Sequence, residues 1–295
     1  MVPETPGVSV LVPLYNEVGC IEQTLRDIHH HLGQAGIPHQ IIVIDDASTD
    51  GSGDLAKPLC DLLLRHGRNR GYGGALKTGI AAASHELILT TDADGTYPID
   101  QMPAVYQALQ HADMVVGARI GAELNHPLVR RPAKWVLRMM AMYVTGDYIP
   151  DFNSGLRGFR RSRVTPYLPI TPDGFSISTT ITMAFHVHRL RMVYLPINYY
   201  KRIGDSKIVP YDFVVFFKLI LRLALLFKPL RLFLPPAAVL LGLAAWLSLP
   251  ALGGAPCLPG VAAALAGLGL LATGVAAAWV NRARARRFLR QSGEG

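Results

Sequence analysis

Residues 87–98 read Leu-Ile-Leu-Thr-Thr-Asp-Ala-Asp-Gly-Thr-Tyr-Pro, an apolar run of strand length that ends on two carboxylates, a glycine and a proline. In an open parallel sheet, ligands bind outside the carboxyl ends of the strands, so we expect Asp92 and Asp94 to project into a crevice there. Two carboxylates one residue apart suit Mg²⁺ or Mn²⁺, which take oxygen ligands. Turn chemistry is the ordinary alternative for an Asp-x-Asp loop, and this stretch alone leaves both open.

Apolar strand patterns and helical patterns alternate on both sides of this stretch. The other predicted strands are residues 8–13, 40–45, 62–65, 112–119 and 192–197. The predicted helices of the same region are residues 18–32, 71–84, 99–110, 127–144 and 174–190. Strands that alternate with helices are typical of a doubly wound, mainly parallel α/β sheet.

Two further loops have sequences that suit either binding or packing. Residues 45–51 read Asp-Asp-Ala-Ser-Thr-Asp-Gly and follow the second strand, where a capped turn and a binding loop are both open. Residues 71–79 read Gly-Tyr-Gly-Gly-Ala-Leu-Lys-Thr-Gly and match neither a Walker loop nor G-x-G-x-x-G. These glycines permit a close approach of the backbone to a ligand or tight packing of the helix on the sheet.

The last third of the chain is much more apolar than the rest. Half of the 295 residues are hydrophobic and only 17% are charged, and the apolar excess lies between residues 213 and 280. Residues 232–249 and 261–280 are each long enough to cross a hydrocarbon core of roughly 30 Å, with a short hairpin link between them. Residues 210–227 predict an apolar helix in which Lys218 and Arg222 share one stripe, as in helices that lie on a membrane.

The distribution of charge predicts the topology and the partners. The formal net charge is +8, and much of the positive excess lies beside the apolar stretches and in the final tail, which indicates anionic lipid and phosphate. No nucleic-acid-binding motif is present. Lys228 and Arg231 precede the first span and five arginines follow the second, so the positive-inside rule places both ends in the cytosol.

The compartment and the domain organisation follow from the same features. Three scattered cysteines without metal-ligand spacing are typical of a reduced compartment, and the N-terminus has no cleavable signal peptide pattern. We therefore expect a multi-pass protein of the cell (inner) membrane. Its expected parts are a cytosolic catalytic domain at 1–207, an interfacial amphipathic helix at 208–230, a transmembrane hairpin at 231–281 and a basic cytosolic tail at 282–295.

Five segments in order carry a resemblance to a known family. They read V-P-L-Y-N-E at 12–17, V-I-D-D-A-S-T-D-G at 43–51, D-A-D-G-T-Y-P at 92–98, N-S-G-L-R at 153–157 and R-I-G-D-S-K at 202–207. Together they resemble the polyprenyl-phosphate glycosyltransferases, the inverting family 2 enzymes that include dolichyl-phosphate mannose and glucose synthases. The resemblance covers nearly the whole chain. It implies a GT-A type, Rossmann-like fold and transfer of a sugar from a nucleotide sugar to a dolichyl or undecaprenyl phosphate, with inversion and with Mg²⁺ or Mn²⁺ as cofactor.

The resemblance also implies roles for individual residues. The implied nucleotide-binding residues are Pro13, Tyr15, Glu17, Asp45 and Asp92. The implied metal ligands are Asp92, Asp94 and Thr96, and the implied catalytic residues are Asp94, Arg202 and Lys207. The residues implied to bind the lipid phosphate are Arg119, Arg131, Lys134 and Ser154. Thr96 stands where related enzymes often have glutamine, and Lys134 stands where some have serine.

The chemistry of such an acceptor agrees with these residue types. A phosphate monoester has a second pKa of about 6 and is largely dianionic at neutral pH, so its oxygen can attack the anomeric carbon without a strong general base. Catalysis then depends on position and on neutralisation of charge by the metal and by arginine and lysine side chains.

Two other classes of protein stay open from the sequence. Residues 92–96 also fit the D-x-D-x-T loop of aspartyl-nucleophile phosphatases, in which the first aspartate is phosphorylated. A membrane-anchored scaffold without turnover is the non-enzymatic alternative. The sequence also leaves open the sugar, the nucleotide base and whether the chain forms a homo-oligomer.

Overall fold

Two structural units are present in the computed structural model, which describes residues 6–119, 131–200, 212–248 and 258–291. Within these ranges, residues 6–119 and 148–200 form one unit, here called the sheet unit. Residues 131–147, 212–248 and 258–291 form the other, here called the helical unit. Residues 131–147 therefore group with the C-terminal helices, whereas the sequence alone had placed them in the first domain.

The sheet unit is built on a seven-stranded sheet with the order β3-β2-β1-β4-β6-β5-β7. Its strands are β1 (Val8–Leu14), β2 (His39–Asp45), β3 (Leu62–Arg65), β4 (Leu87–Thr90), β5 (Met114–Arg119), β6 (Arg157–Arg160) and β7 (Met192–Ile197). All neighbouring strands are parallel except β6, which pairs antiparallel with both β4 and β5. The mainly parallel sheet is thus confirmed.

Strand β6 is the one strand of this sheet that the sequence did not predict. Its sequence, Arg-Gly-Phe-Arg, contains no apolar run and therefore gives no local strand signal. Pairing with β4 and β5 on both sides supplies the backbone hydrogen bonds, so the tertiary neighbours decide the conformation where local propensity does not.

Each predicted helical segment contains a helix, in most cases with ends a few residues from the predicted ones. In order they are α1 (Ile21–Gln34), α2 (Ser52–Ala56), α3 (Tyr72–Ala82), α4 (Met102–Leu109), α5 (Arg131–Thr145), α6 (Arg161–Val164), α7 (Ile177–Val187), α8 (Asp212–Phe227), α9 (Pro229–Ser248) and α10 (Leu258–Gln291).

The core of the sheet unit lies on both faces of the sheet. On one face α1 and α4 pack on alternate strand residues such as Val10 and Val43. On the other face α3 and α7 pack on the intervening residues, such as Leu11 and Ile42. Burial of both faces explains why these strands read as continuous apolar runs.

The topology places the predicted loops at one edge of the sheet. The chain runs outward from β1 through β2 to β3 and then returns to β4 on the other side of β1. The carboxyl ends of β1, β2 and β4 therefore meet where the strand order reverses, which is where ligands bind in open α/β sheets. Asp45 ends β2, and Asp92 follows the end of β4 by two residues.

The helical unit contains two helices that are long and apolar enough to span a membrane. These segments are Pro229–Ser248 and Leu258–Asn281, and only 11% of the apolar window of each is buried. Large side chains such as Val239, Trp246, Leu265 and Trp279 are exposed on them. A core helix of a soluble protein would be mostly buried, so two outward-facing apolar helices indicate association with a membrane. The prediction of two apolar C-terminal helices is confirmed.

The ends of these helices differ from the prediction. Helix α9 begins at Pro229, three residues before the first predicted span. Helix α10 continues to Gln291, eleven residues beyond the end of the second predicted span. The extension includes arginine and alanine, which favour helix strongly, so the helix does not stop where the apolar pattern stops.

Small residues allow α9 and α10 to approach closely. Glycines recur every seven residues along one side of α10, and a Cβ on Gly267 would lie 2.9 Å from Leu241 of α9. The corresponding contacts of Gly260 and Gly274 are also with α9. Because seven residues are nearly two helical turns, the three glycines form one stripe that faces the partner helix.

Helix α8 is amphipathic in the way the sequence predicted. Ile220, Leu223 and Ala224 are buried on one side, whereas Lys218 and Arg222 are exposed on another. The end of α8 is capped by Asn281 of α10, whose side-chain amide donates to the carbonyls of residues 225 and 226 at 2.7 and 2.8 Å.

Candidate active site

A cleft of about 320 Å³ opens beyond the end of β2. It is lined by Asp45, Ala47, Ser48, Thr49, Gly51, Gly53, Asp54, Arg65 and His66. The volume lies at the lower end of the range for small-molecule sites. Residues 45–51 form a turn in which Asp50 accepts the Ser52 N–H at 3.0 Å, and they also line this cleft. Binding of a ligand by this loop stays a prediction.

Asp45 is held at the floor of this cleft. Its Oδ1 accepts the Ser48 N–H at 2.9 Å, and its Oδ2 lies 3.6 Å from Nε of Arg65. The preceding loop is joined to the same segment, since the Asn16 N–H donates to the Ser48 hydroxyl and Asn16 Oδ1 accepts the Thr49 N–H at 2.8 Å. The loops that follow β1 and β2 thus support each other.

Three other predicted nucleotide-binding residues lie on the first of these loops or just before it. Pro13 is in β1, where it pairs with Ile44 of β2, and Tyr15 directly follows the strand and is 38% exposed. The Glu17 carbonyl accepts the N–H of Ile21, at the first residue of α1. Their contact with a nucleotide stays a prediction.

Asp46 was not among the predicted site residues, although its carboxylate accepts more hydrogen bonds than that of Asp45. It is buried and accepts from His66 Nδ1 at 2.6 Å and from the N–H groups of Arg70 and Gly71 at 2.8 Å each. One carboxylate therefore connects the cleft wall to the start of the glycine-rich segment. The consecutive aspartates of the sequence were the available signal.

Asp94 is positioned by its own loop. It is 7% exposed, and its Oδ1 accepts from the Thr96 hydroxyl at 2.6 Å and from the Thr96 N–H at 3.2 Å. Gly95 has φ of +69°, a conformation that favours glycine and closes this turn. In this arrangement Thr96 orients the carboxylate, and its predicted role as a metal ligand stays a prediction.

Asp92 lies against residues 153–157, the N-S-G-L-R segment. A Cβ on Gly155 would fall 2.5 Å from Asp92 Oδ1, so only glycine permits this approach. The Gly155 N–H donates to the Tyr97 hydroxyl at 2.7 Å, and the Thr90 hydroxyl donates to the Gly155 carbonyl at 2.7 Å.

Burial and the charge of Asp92 raise the pKa of two neighbouring tyrosines. The shift is caused first by desolvation and second by Asp92, both for Tyr72 and for Tyr97. Both hydroxyls therefore stay protonated at neutral pH and serve as hydrogen-bonding groups.

Arg157 is a buried cation that the sequence analysis named only as part of a motif. Its guanidinium donates to the carbonyls of Ser154 and Phe152 at 2.8 and 3.2 Å, and to the Thr182 hydroxyl at 3.2 Å. Burial lowers its pKa below the usual value. The predicted lipid-phosphate residue Ser154 is fully buried, and its hydroxyl donates to the Leu156 carbonyl at 3.3 Å.

Arg119 is paired with Asp151. Its Nε and Nη2 donate to the two carboxylate oxygens at 2.7 and 2.9 Å, and its guanidinium lies 5.2 Å from the ring centre of Tyr199. Burial alone would raise the pKa of Asp151, but the hydrogen bonds and charge of Arg119 lower it below the usual value. A lipid phosphate bound at Arg119 would therefore contact a guanidinium that also donates hydrogen bonds to Asp151.

The remaining predicted residues fall where little can be described. Arg131 and Lys134 belong to α5 in the helical unit, and their side chains lie outside the described part of the chain. Arg202 and Lys207 also lie outside the described residues. Their roles stay predictions.

The carboxylates at the β4 edge suit a divalent metal of the magnesium type. Among the residues that the structure describes, no group of three or more histidine, cysteine, aspartate or glutamate side chains could hold a metal ion. A protein site of only one or two carboxylates is the usual one for Mg²⁺, which takes its other ligands from water and substrate phosphates. Asp94, held by Thr96, and Asp92, which lies against Gly155, therefore fit such an ion.

Comparison with known proteins agrees with this arrangement. A family model described as glycosyl transferase family 2 matches residues 9–165. The chain is 33% identical to an uncharacterized protein of Methanocaldococcus jannaschii over 72% of this chain and 90% of that protein. It is 29% identical to the undecaprenyl-phosphate mannosyltransferase of Micrococcus luteus over 68% of this chain and 86% of that enzyme.

Among solved structures, one similar fold is that of glucosyl-3-phosphoglycerate synthase from Mycobacterium tuberculosis. Its complex with Mn²⁺, uridine diphosphate and glucosyl-3-phosphoglycerate matches with a TM-score of 0.56 and 20% identity, over 75% of this chain and 79% of that one. Another structure of the same enzyme contains Mg²⁺ and uridine diphosphate. At this identity the likeness shows the GT-A fold.

Proposed function

Because the chain belongs to glycosyl transferase family 2, we propose that it transfers a sugar from a nucleotide sugar to a polyprenyl phosphate. One observation carries the choice of acceptor: a sheet unit with a cleft and paired carboxylates is joined to two outward-facing apolar helices in one chain. A soluble acceptor would not require such helices, whereas a lipid-linked phosphate is found only at a membrane. The mannosyltransferase relative is named for an undecaprenyl-phosphate acceptor, which supports the same choice.

The cleft beside Asp45 is the proposed nucleoside site. Asp45 and the loops after β1 and β2 line or support it, and Asp46 links its wall to the start of α3. The diphosphate then extends toward Asp92 and Asp94, which lie across the reversal in strand order. Pro13, Tyr15 and Glu17 complete the proposed nucleotide site.

Asp92 and Asp94 are the residues that would hold Mg²⁺ or Mn²⁺. When bound, the ion supplies Lewis-acid neutralisation of the negative charge that develops on the leaving nucleoside diphosphate. The Thr96 hydroxyl holds Asp94, and the absence of a side chain at Gly155 leaves the space that Asp92 occupies. Arg202 and Lys207 are proposed to add positive charge at the same leaving group.

The acceptor phosphate is the proposed nucleophile. One of its oxygens forms a bond to the anomeric carbon, the bond from that carbon to the nucleoside diphosphate breaks, and the configuration inverts. The attacking oxygen is already unprotonated at neutral pH, so no side chain has to remove a proton. Arg119, Arg131, Lys134 and Ser154 are the proposed acceptor residues, with Arg119 oriented by Asp151.

We further propose that the protein is a multi-pass protein of the cell (inner) membrane. Residues 208–230 would lie at the interface, residues 231–281 would form the hairpin, and both the domain at 1–207 and the tail at 282–295 would be cytosolic. The exposed Lys218 and Arg222 would then face anionic headgroups.

A transfer assay with three acceptors tests the proposal. Membranes that contain the full chain are incubated with a panel of nucleotide sugars and with undecaprenyl phosphate, undecaprenol or 3-phosphoglycerate. The proposal predicts labelled lipid with undecaprenyl phosphate alone. Transfer only to 3-phosphoglycerate would refute the lipid acceptor, and a covalent aspartyl phosphate at Asp92 would instead favour the phosphatase.

A further inference from the structure

An aromatic pair lies next to the Asp92 carboxylate and has no role in the function proposed above. The rings of Tyr72 and Phe175 are stacked, with their centres 5.4 Å apart and their planes inclined by 20°. Burial raises the pKa of the Tyr72 hydroxyl, and so does the negative charge of Asp92, which lies within reach of it. Phe175 is 58% exposed, so one side of its ring contacts Tyr72 while much of the ring stays accessible.

The loop that carries Phe175 is fixed to α3 by polar contacts. Lys77 of α3 donates to the Thr171 carbonyl at 2.6 Å and pairs with Asp173 at 2.7 Å. The Gly74 N–H also donates to the Asp173 carbonyl at 3.0 Å. The exposed ring is therefore held in position, and it does not belong to a free loop tip.

Two glycines at the start of α3 allow the helix to lie close to the loop that carries Phe175. A Cβ on Gly71 would lie 2.6 Å from the Asp173 carbonyl oxygen, and a Cβ on Gly73 would lie 2.4 Å from the Pro172 carbonyl oxygen. This contact is neither of the two explanations that the sequence left open, which were approach to a ligand and packing of the helix on the sheet. These glycines allow α3 to meet the Phe175 loop.

The polar side chains that follow Phe175 are directed inward. The Thr180 hydroxyl donates to the Ser176 carbonyl at 3.0 Å, Thr179 bonds to Asn153, and Ser178 is buried. The start of α7 therefore presents Phe175 at the surface, and its hydroxyl groups are engaged inside the protein.

From this placement we propose that the exposed face of Phe175, supported by Tyr72, is the surface on which the pyranose ring of the donor rests. The inference depends on the proposed function, because it takes Asp92 as the residue beside the donor diphosphate. The sugar is the group attached to that diphosphate. The loop that meets Asp92 at Gly155 is also bonded through Asn153 to Thr179, four residues after Phe175, so Phe175 lies near this loop. The C–H bonds of one pyranose face form an apolar surface that suits a flat aromatic ring.

The test separates binding of the sugar from binding of the nucleotide. The full chain in detergent is titrated by calorimetry with the nucleotide sugar that supports transfer and, separately, with its free nucleoside diphosphate. Phe175→Ala should weaken binding of the nucleotide sugar about tenfold and leave binding of the nucleoside diphosphate within twofold. Phe175→Tyr should bind both ligands like the wild type, and Tyr148→Ala, at another exposed aromatic, is the control.

Each other outcome has a defined meaning. Equal weakening of both ligands by Phe175→Ala would overturn the proposal, as would no weakening of either or a rise only in the KM for polyprenyl phosphate. Phe175→Leu covers the case in which the alanine variant unfolds, and wild-type affinity of the leucine variant for the nucleotide sugar would exclude stacking. If the wild type transfers no sugar at all, the proposed function fails, and the same comparison is made with the nucleotide sugar of the panel that binds most tightly to the wild type.

Discussion

The two units of this chain are stabilised by different kinds of contact. In the sheet unit, buried polar groups near the strand ends are fixed by side chains, as Asp46 is by His66 and Asp94 is by Thr96. In the helical unit, glycines of α10 pack on α9, and side chains cap the ends of helices. The contrast teaches that the polar contacts around the proposed nucleotide and metal sites lie in the sheet unit, whereas the helical unit is suited to a position at the membrane.

The largest expected effect comes from removing a proposed metal ligand. Asp94→Asn should reduce transfer on the order of a thousandfold, because an amide lacks the anionic oxygen that a hard divalent cation prefers. The buried site keeps its shape, so the melting temperature should change little. The measurement is the rate of transfer over a range of Mn²⁺ concentrations, and a rate close to wild type in chelator would remove the metal from the account.

A smaller effect is expected from Gly155→Ala. The added Cβ meets Asp92 at 2.5 Å, and the backbone cannot retreat because Tyr97 and Thr90 hold it from both sides. We expect a loss of transfer of about ten- to a hundredfold with nucleoside binding preserved. Gly33→Ala is the matched control, since a Cβ there meets nothing within 4 Å. Equal activity of the two variants would show that the close approach to Asp92 is unimportant.

The helical unit should respond in stability, with donor binding unchanged. Gly267→Leu inserts a side chain where α9 lies 2.9 Å from the added Cβ, and overpacking of this kind costs about 1–3 kcal/mol. Gly269→Leu, two residues away, places the same side chain where a Cβ meets nothing within 4 Å. Thermal unfolding in detergent should distinguish the two variants. A loss of donor affinity in Gly267→Leu would contradict the separation of roles.

The smallest expected effect is a pH dependence of stability. Because the pKa of Asp151 is lower in the folded protein than in the unfolded chain, its ion pair with Arg119 contributes fully above the unfolded pKa of about 3.9. That contribution is lost as the pH falls through the folded pKa. Asp151→Asn should therefore show a weaker loss of stability below pH 4 than the wild type, measured by acid unfolding. Parallel acid curves would contradict the ion pair.

The sequence predicted the parts of the fold that depend on local pattern. Asp45 and the carboxylates of residues 92–94 were placed at the sheet edge because apolar strands end directly before them. Strand β6 was missed, since its four residues become a strand only through pairing with β4 and β5.

The contacts between side chains within the site could not be predicted from the sequence. The stacking of Tyr72 on Phe175 and the ion pair of Arg119 with Asp151 join residues more than 30 positions apart. No local pattern reports such a contact, because it is set by how α3, β5 and the loop before β6 pack in space. Asp46 was visible as the second of two aspartates, but its three hydrogen-bond donors were not.

The most direct test of the central claim is the stoichiometry of the transfer reaction. Purified full-length protein in lipid vesicles with undecaprenyl phosphate and Mn²⁺ is given a labelled nucleotide sugar, and both products are counted. Sugar transfer predicts one nucleoside diphosphate released for each labelled sugar that enters the lipid extract, with inverted anomeric configuration and with neither product after chelation. Release of nucleoside diphosphate without lipid-linked sugar, or a product with retained configuration, would contradict it.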